Sequence, residues 1–375
     1  MAPNRPDRRT FLRTAVIAPG VAVAGAAAPA LAAPAVTSSL PDIVWRLQSS
    51  FPATLETIHG SAEAMARAIA ALTGGRFRIE IETPGHFAPG AETLDAVRNG
   101  TIQAHQTCSY YYMDLDPAFA IGTALPFGLN ARMQDAWITD GGGQHLLDTF
   151  YANYDLISFV VGNTGAQMGG WFRREIRSLP EIAGMKMRIA GVGGTVLARL
   201  GVEPQQIPPE AIYSALADGT IDAAEWGGPH EDEKFGFYKI APYYYYPGWW
   251  EGGPSIHLLV NRPAFEALPE LYKMALRMAA AQASHEMLAR YDVRNNTAIR
   301  SLIDKGVQLR PYPTDLLEAA YKASFELYAE LSADHPRFKA IYEPWKLFRD
   351  QIYQSFRVAE FPFESFGFAQ QAKGL

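Results

Sequence analysis

Cysteine is almost missing from this sequence, with one residue in 375. A lone Cys108 excludes an intrachain disulfide. In the run His105-Gln106-Thr107-Cys108-Ser109-Tyr110 no base can be assigned to activate it, so it reads as a small buried side chain. Histidine is also sparse, with eight residues and none in an H-E-x-x-H pair. An EF-hand loop, a cysteine set and a nucleophile elbow are all absent, which removes the usual zinc, calcium-loop and serine-hydrolase signatures. The dinucleotide fingerprint is incomplete. Gly191-Val192-Gly193-Gly194 has Val196 where the third glycine belongs, and no acid closes a second strand at the ribose position. Positive charge is short as well. Lys and Arg total 33 against 39 acids, a formal net charge of −6, which disfavours a nucleic-acid partner because binding phosphates needs clustered Lys and Arg. Beyond the first 33 residues no apolar run reaches a membrane-spanning length.

The start of the chain has its own pattern. Arg8-Arg9-Thr10-Phe11-Leu12-Arg13 leads into a mild Ala/Gly-rich stretch from Thr14 to Ala33, broken by Pro19 and Pro29 and carrying Ala30-Leu31-Ala32 as an A-x-A cleavage site. Paired arginines before a weak apolar run read as a twin-arginine export signal over residues 1–32. Its removal takes away four arginines and one aspartate, so the charge moves from −6 to −9. An acidic, exported protein is expected, located in the periplasm.

The rest alternates strands and helices. Strands are predicted at 43–48, 76–82 and 101–107, with helices at 61–72, capped by Ser61, and at 90–99. The pattern restarts with strands at 156–161, 186–190 and 220–224 and helices at 194–200 and 209–216. Such alternation indicates α/β lobes built on parallel or mixed sheets. Leu94–Ala104 and Tyr213–Ala223 echo each other: a helix end, Asn/Asp-Gly, then Thr-Ile-polar-Ala. Two related lobes or a common connection would both produce this echo. From residue 264 the pattern is helical, with segments at 264–306, 314–332 and 335–356. In the last of these, Phe338, Ile341, Trp345, Phe348, Ile352 and Phe356 form an apolar stripe, and Pro344 is expected to kink or split the helix.

Aromatics and acids concentrate between Asp222 and Pro254, where Glu225-Trp226 precedes Gly227-Gly228-Pro229 and four tyrosines precede Trp249-Trp250-Glu251. The Tyr243–Trp250 run reads either as a pocket wall or as core, with sugar stacking as a further use. His230–Glu233 follows Pro229, so its acids suit the first turn of a helix rather than a metal cluster. Arg188 sits in an apolar strand beside the glycine turn, where a guanidinium can meet a carboxylate. Gln167, Glu225 and Glu251 all lie beside glycines. Together they make a hard-oxygen set suited to Ca²⁺ or Na⁺, although solvated acids would look the same.

At Gly162-Asn163-Thr164-Gly165-Ala166-Gln167-Met168-Gly169-Gly170-Trp171-Phe172, Lys186-Met187-Arg188 and Ala224-Glu225-Trp226 through Glu251, the chain resembles the solute-binding subunits of tripartite ATP-independent periplasmic (TRAP) transporters. It is most similar to the branch that binds 2-oxo and 2-hydroxy monocarboxylates with a metal ion. Asp116-Pro117-Ala118-Phe119-Ala120 and Pro126-Phe127-Gly128-Leu129 extend the resemblance over nearly the whole mature chain. The resemblance implies a two-lobe periplasmic binding protein whose hinge-linked lobes close over the ligand, with long C-terminal helices. The chain then divides into a leader at 1–32, lobe 1 mainly at 33–160, lobe 2 mainly at 161–260 and a helical segment at 261–375 crossing between them. It implies that Arg188 pairs with the substrate carboxylate, and that Gln167, the Glu225 side chain and the Trp226 carbonyl hold Na⁺ or Ca²⁺. Asn163 and Tyr111 would line the pocket, with Glu251 near the metal. No organic cofactor is implied. The implied partners are a small carboxylate, the TRAP membrane subunits and a second copy joined through the terminal helices. Gly227-Gly228 departs from the family pattern, which has a bulkier residue at one of these positions, and so leaves the ligand's side chain open. A binding protein rather than an enzyme is expected. A twin-arginine-exported enzyme acting on a small carboxylate and a carbohydrate-binding protein are the alternatives.

Overall fold

The computed structural model describes residues 40–373, so the export signal expected at 1–32 lies outside the described residues. Two sheets organise the chain. The first has the order β2 (Phe77–Glu82), β1 (Ile43–Ser49), β3 (Ala104–Thr107), β10 (Ser255–Asn261), β4 (Leu156–Asn163). Here β1 runs parallel to β2 and β3, whereas β10 is antiparallel to both β3 and β4. All seven residues of β10 are buried, as suits an apolar strand in the middle of a covered sheet. The second sheet has the order β11 (Gln308–Pro311), β9 (Tyr243–Tyr246), β5 (Trp171–Phe172), β8 (Ala223–Ala224), β6 (Lys186–Arg188), β7 (Glu203–Gln205). Both sheets are therefore mixed. The fold is the two-lobe α/β arrangement, and the chain crosses between lobes more than once, because β10 returns to the first sheet after β5–β9 have built the second.

A 35-residue helix, Glu270–Asp304, spans both lobes. It packs on β4 and on the His59–Leu72 helix in the first lobe, then on the Pro229–Phe235 helix of the second. Each contact draws on small or apolar residues of its inward face, among them Ala279, Ala283, Met287 and Tyr291, all buried. Gly162 of β4 lies so close that an added Cβ would meet Met287 Sδ at 2.2 Å.

Some local expectations change. The first helix begins at His59, and Ser61 lies inside it, where its hydroxyl donates to the Ile58 carbonyl (3.0 Å) instead of capping. Pro344 does not split the next-to-last helix, which is continuous from Pro336 to Val358. Burial of Phe338, Ile341 and Trp345 on either side holds it together despite the lost backbone donor. A further helix, Glu360–Gln371, follows it and buries none of its residues. Pro362 falls in its first turn, where a missing N–H costs little.

Candidate functional site

β6 and β8 run parallel with Arg188 opposite Ala224, so Arg188 and Glu225 leave neighbouring strands at the same level. The Glu225 N–H donates to the Arg188 carbonyl (2.9 Å). Both side chains are buried, at 6% and 3% exposure. Arg188 Nη1 donates to Glu225 Oε2 at 3.0 Å and to the Glu225 carbonyl, while Nε reaches the Ile207 carbonyl at 3.4 Å. The guanidinium also lies 5.0 Å from the Trp226 ring centroid, a cation–π contact. Nη2 has no hydrogen-bond partner among the described residues.

Arg188 lines a narrow cavity of about 30 Å³ between the lobes. Phe51, Ile58 and Tyr111 line it from the first lobe, and Arg188, Trp226 and Gly227 from the second. Gln167, in the loop between β4 and β5, also lines it. Its Nε2 donates to Thr164 Oγ1 (3.3 Å), but its Oε1 is buried without any partner. A buried carbonyl oxygen left unpaired costs on the order of 1–3 kcal/mol, so this oxygen is available to a group entering the cavity.

Glu251 stands beside that loop. The Gln167 N–H donates to the Glu251 carbonyl (3.1 Å) and the Gly248 N–H to the Gln167 carbonyl (3.0 Å), which stitches two segments 84 positions apart. The Glu251 carboxyl is buried, and burial together with the neighbouring Glu225 charge pushes its pKa up. Burial likewise raises that of Glu225, against the pull of Arg188. Among the described residues no group of three or more His, Cys, Asp or Glu side chains is placed to hold a metal. What the site offers instead is an orphaned amide oxygen in the cavity wall and two buried carboxyls, Glu225 and Glu251, close behind it. That donor set fits a hard cation whose shell is completed by a ligand's own oxygens.

The structure does not place every expected residue in the cavity. Asn163 braces the loop instead: its Nδ2 donates to the Gly253 carbonyl and its Oδ1 accepts from Gly165 N–H, each at 2.9 Å. Glu225 and Glu251, both expected at the metal, adjoin the cavity without lining it. The Tyr243–Trp250 run is core rather than wall. Tyr244 and Tyr245 have no exposed surface, Trp171 stacks on Tyr244 at 3.9 Å, and Trp249 stacks on Phe127 at 5.1 Å. Cys108 lines the cavity, and burial, reinforced by Glu251, pushes its thiol pKa up, so it is not a nucleophile. Gly191 sits at φ +65°, and a Cβ there would press on the Tyr110 ring at 3.2 Å. The glycine turn therefore serves the close approach of the two lobes, and no nucleotide phosphate is needed to explain it.

Glu231 was not foreseen. It falls in the first turn of the Pro229–Phe235 helix, as its sequence suggests, yet it is 3% exposed and lines the cavity. Its Oε1 accepts from the Tyr291 hydroxyl (2.7 Å), 60 positions away. Burial raises its pKa. Asp232 behind it accepts from Trp171 Nε1 (2.9 Å) and Tyr244 Oη (2.6 Å), which fastens the helix to the second sheet. No local sequence signal separates these acids from solvated ones, because their partners come from distant strands and helices.

Comparison with known proteins places the chain in a family. The family model for bacterial extracellular solute-binding proteins, family 7 (DctP), matches residues 49–334. A monocarboxylate 2-oxoacid-binding periplasmic protein from a Nostoc strain is 46% identical over 336 residues, covering 90% of this chain and 92% of its own. A TRAP transporter solute-binding protein from Bordetella bronchiseptica superposes with a TM-score of 0.87 at 47% identity, over 89% of this chain and 100% of its own; its crystal structure is a mixed-occupancy dimer with co-purified calcium and picolinate. A third, from Pseudoalteromonas atlantica, holds sodium and pyruvate and superposes with a TM-score of 0.83 at 34% identity, over 86% and 99% of the two chains. By the extent of the family match and by these relatives, the chain belongs to family 7 of the bacterial extracellular solute-binding proteins, the DctP family.

Proposed function

We propose that this protein captures a small 2-oxo or 2-hydroxy monocarboxylate, pyruvate- or lactate-like, together with Na⁺ or Ca²⁺, and delivers it to TRAP membrane subunits. The observation that carries this reading is the pairing, at one cavity, of Arg188, whose Nη2 has no protein partner among the described residues, with the unpartnered Gln167 Oε1. The first suits an anion and the second a cation. Arg188 takes the ligand carboxylate. Gln167, the Glu225 side chain and the Trp226 carbonyl hold the cation, Tyr111 closes the cavity, and Asn163 and Glu251 support the loops around it. Pyruvate and picolinate, the ligands of two relatives, share one chemical feature: a donor atom directly adjacent to a carboxylate. Such a molecule chelates a metal while leaving a carboxylate edge for a guanidinium.

Residues 33–160 and 161–260 form the main spans of the two lobes, and 261–375 crosses between them. The protein works in the periplasm after export by the twin-arginine route, and it binds without catalysing. A thermal-shift panel tests the function. Pyruvate, lactate and picolinate should raise the melting temperature in Ca²⁺ or Na⁺ buffer by mass action, and sugars should not. A shift with sugars, or no shift with any α-donor carboxylate, overturns the assignment.

The second copy docks on the last helix. The apolar stripe at 335–356 packs within its own chain, with Phe338, Ile341 and Trp345 buried. The unpartnered face is on the Glu360–Gln371 helix, where Phe361, Phe363, Phe366 and Phe368 are 65–78% exposed beside a groove of about 1210 Å³. Fully burying a Phe contributes about 1.5–3 kcal/mol, so four of them are a strong drive to pair. Replacing all four with serine should give a monomer by light scattering while the ligand-induced thermal shift survives. A persisting dimer would move the interface elsewhere.

A further inference from the structure

Outside the cavity, the most concentrated set of charges between the lobes converges on one carboxylate. Glu56 lies in the loop between β1 and the His59–Leu72 helix, in the first lobe. Its Oε1 faces His230 Nε2 at 3.2 Å and Arg294 Nη1 at 3.4 Å, and its Oε2 is bonded by Lys234 Nζ. His230 and Lys234 belong to the Pro229–Phe235 helix, which Asp232 ties to the second sheet through Trp171 and Tyr244. Arg294 comes from the helix that spans both lobes and also donates to Thr57 Oγ1 (2.6 Å).

Both ends of this contact are anchored. On the first-lobe side, Gln106 of β3 donates to the Ile58 carbonyl (2.7 Å), and the loop closes on itself through the Leu55 N–H to Pro52 carbonyl bond (3.0 Å). The same loop contributes Phe51 and Ile58 to the ligand cavity. A force applied at Glu56 is therefore applied to the wall that covers the ligand.

We propose that Glu56 is a closure latch, a positioning residue that holds the Phe51–Ile58 loop against the Pro229–Phe235 helix and so sets how long the ligand stays bound. The inference rests on the binding reading above for its kinetic readout only. A single ion pair with a side chain 47% exposed would contribute little. Here one carboxylate receives three donors, two from the opposite lobe and one from the helix that spans both lobes, and the network is the case in which surface charge has a measurable effect. Burial alone would raise the Glu56 pKa, yet hydrogen bonds from Lys234, its own backbone and His230, with the Lys234 charge, bring it down to about 2. Residues of both lobes line the cavity, so parting of the lobes opens it for release. Opening breaks the Lys234 and His230 contacts together, so the effect falls on dissociation rather than association.

The test uses wild-type protein and the Glu56→Gln, Glu56→Asp and Glu56→Lys/Lys234→Glu variants, followed by stopped-flow tryptophan fluorescence with pyruvate and Ca²⁺. Glu56→Gln should release pyruvate about 5–10-fold faster with an association rate within about twofold of wild type. Glu56→Asp and the charge swap should recover part of the loss. The gap should narrow in 1 M salt, where the Debye length is about 3 Å. In parallel, small-angle scattering of the ligand-free proteins should show Glu56→Gln more open than wild type. That arm needs no ligand, so absence of pyruvate binding by the wild type would sink the ligand class without deciding the latch. Unchanged release and unchanged ligand-free dimensions in Glu56→Gln overturn the latch. A fall in melting temperature with no change in either readout overturns it too, by reducing Glu56 to a structural role.

Discussion

Titration of the Arg188→Ala protein with pyruvate in calcium buffer is expected to show affinity lower by about 2–5 kcal/mol, roughly 30-fold to several thousand-fold at about 1.4 kcal/mol per decade. The size follows from burial. Arg188 is 6% exposed and already shared between Glu225 and the cavity. Its loss removes the only guanidinium that lines the cavity among the described residues, and the ligand carboxylate then enters a dry space facing Glu225 with one charge uncompensated. Arg188→Lys separates charge from geometry. An ammonium keeps the positive charge but is a point donor that does not serve Glu225 and a carboxylate edge with the same planar fork, so its affinity should fall between the two. Removing the arginine also strands the buried Glu225, so the ligand-free protein should melt lower. Arg188→Ala/Glu225→Gln relieves that strain, and its binding should remain weak. An Arg188→Ala affinity within threefold of wild type would show that the carboxylate sits elsewhere.

Arg188 and Glu225 were legible in the sequence because each ends an apolar strand beside chain-breaking residues, the place where open α/β sheets present ligands. Their direct pairing was not, since it depends on the register that sets Arg188 against Ala224. Gln167 and Glu251 were singled out as separate hard-oxygen residues; what joins them is a pair of backbone hydrogen bonds between distant loops. The aromatic run 243–250 shows the opposite failure. Composition is identical whether rings line a cavity or fill a core, and here Trp171 and Phe127, both far away in sequence, decide for the core. The central strand β10 escaped notice because a short continuous apolar run has no period to read. The last helix escaped for a different reason: its phenylalanines bury nothing within their own chain, so its partner cannot be inferred from intrachain patterning.

Exhaustive chelation in sodium-free buffer is the second large effect, and it should weaken pyruvate binding at least 100-fold, about 2.7 kcal/mol. Charge counting gives the reason. The Glu225 carboxylate and the incoming carboxylate share one guanidinium, with the Glu251 carboxyl, its pKa pushed up by burial and by Glu225, close by. A like-charge pair 4 Å apart costs about 4 kcal/mol even at an effective dielectric of 20, so a monoanion is repelled unless a cation enters with it. The groups proposed to hold the cation make only part of a coordination shell: Gln167 Oε1, which has no other partner, the Glu225 carboxylate and the Trp226 carbonyl. Calcium takes six to eight oxygens, so the metal without the ligand should bind weakly as well. Linkage makes this reciprocal, and pyruvate must tighten calcium binding by the same factor by which calcium tightens pyruvate binding. Gln167→Ala removes a cation ligand without touching Arg188, and it should reduce both affinities in parallel. Glu225→Gln removes a negative charge together with a ligand, so the chelator-treated variant should bind pyruvate better than chelator-treated wild type, while gaining less from added calcium. If chelated wild-type protein keeps its pyruvate affinity, the orphaned amide oxygen has some other purpose, and Arg188 alone compensates the anion.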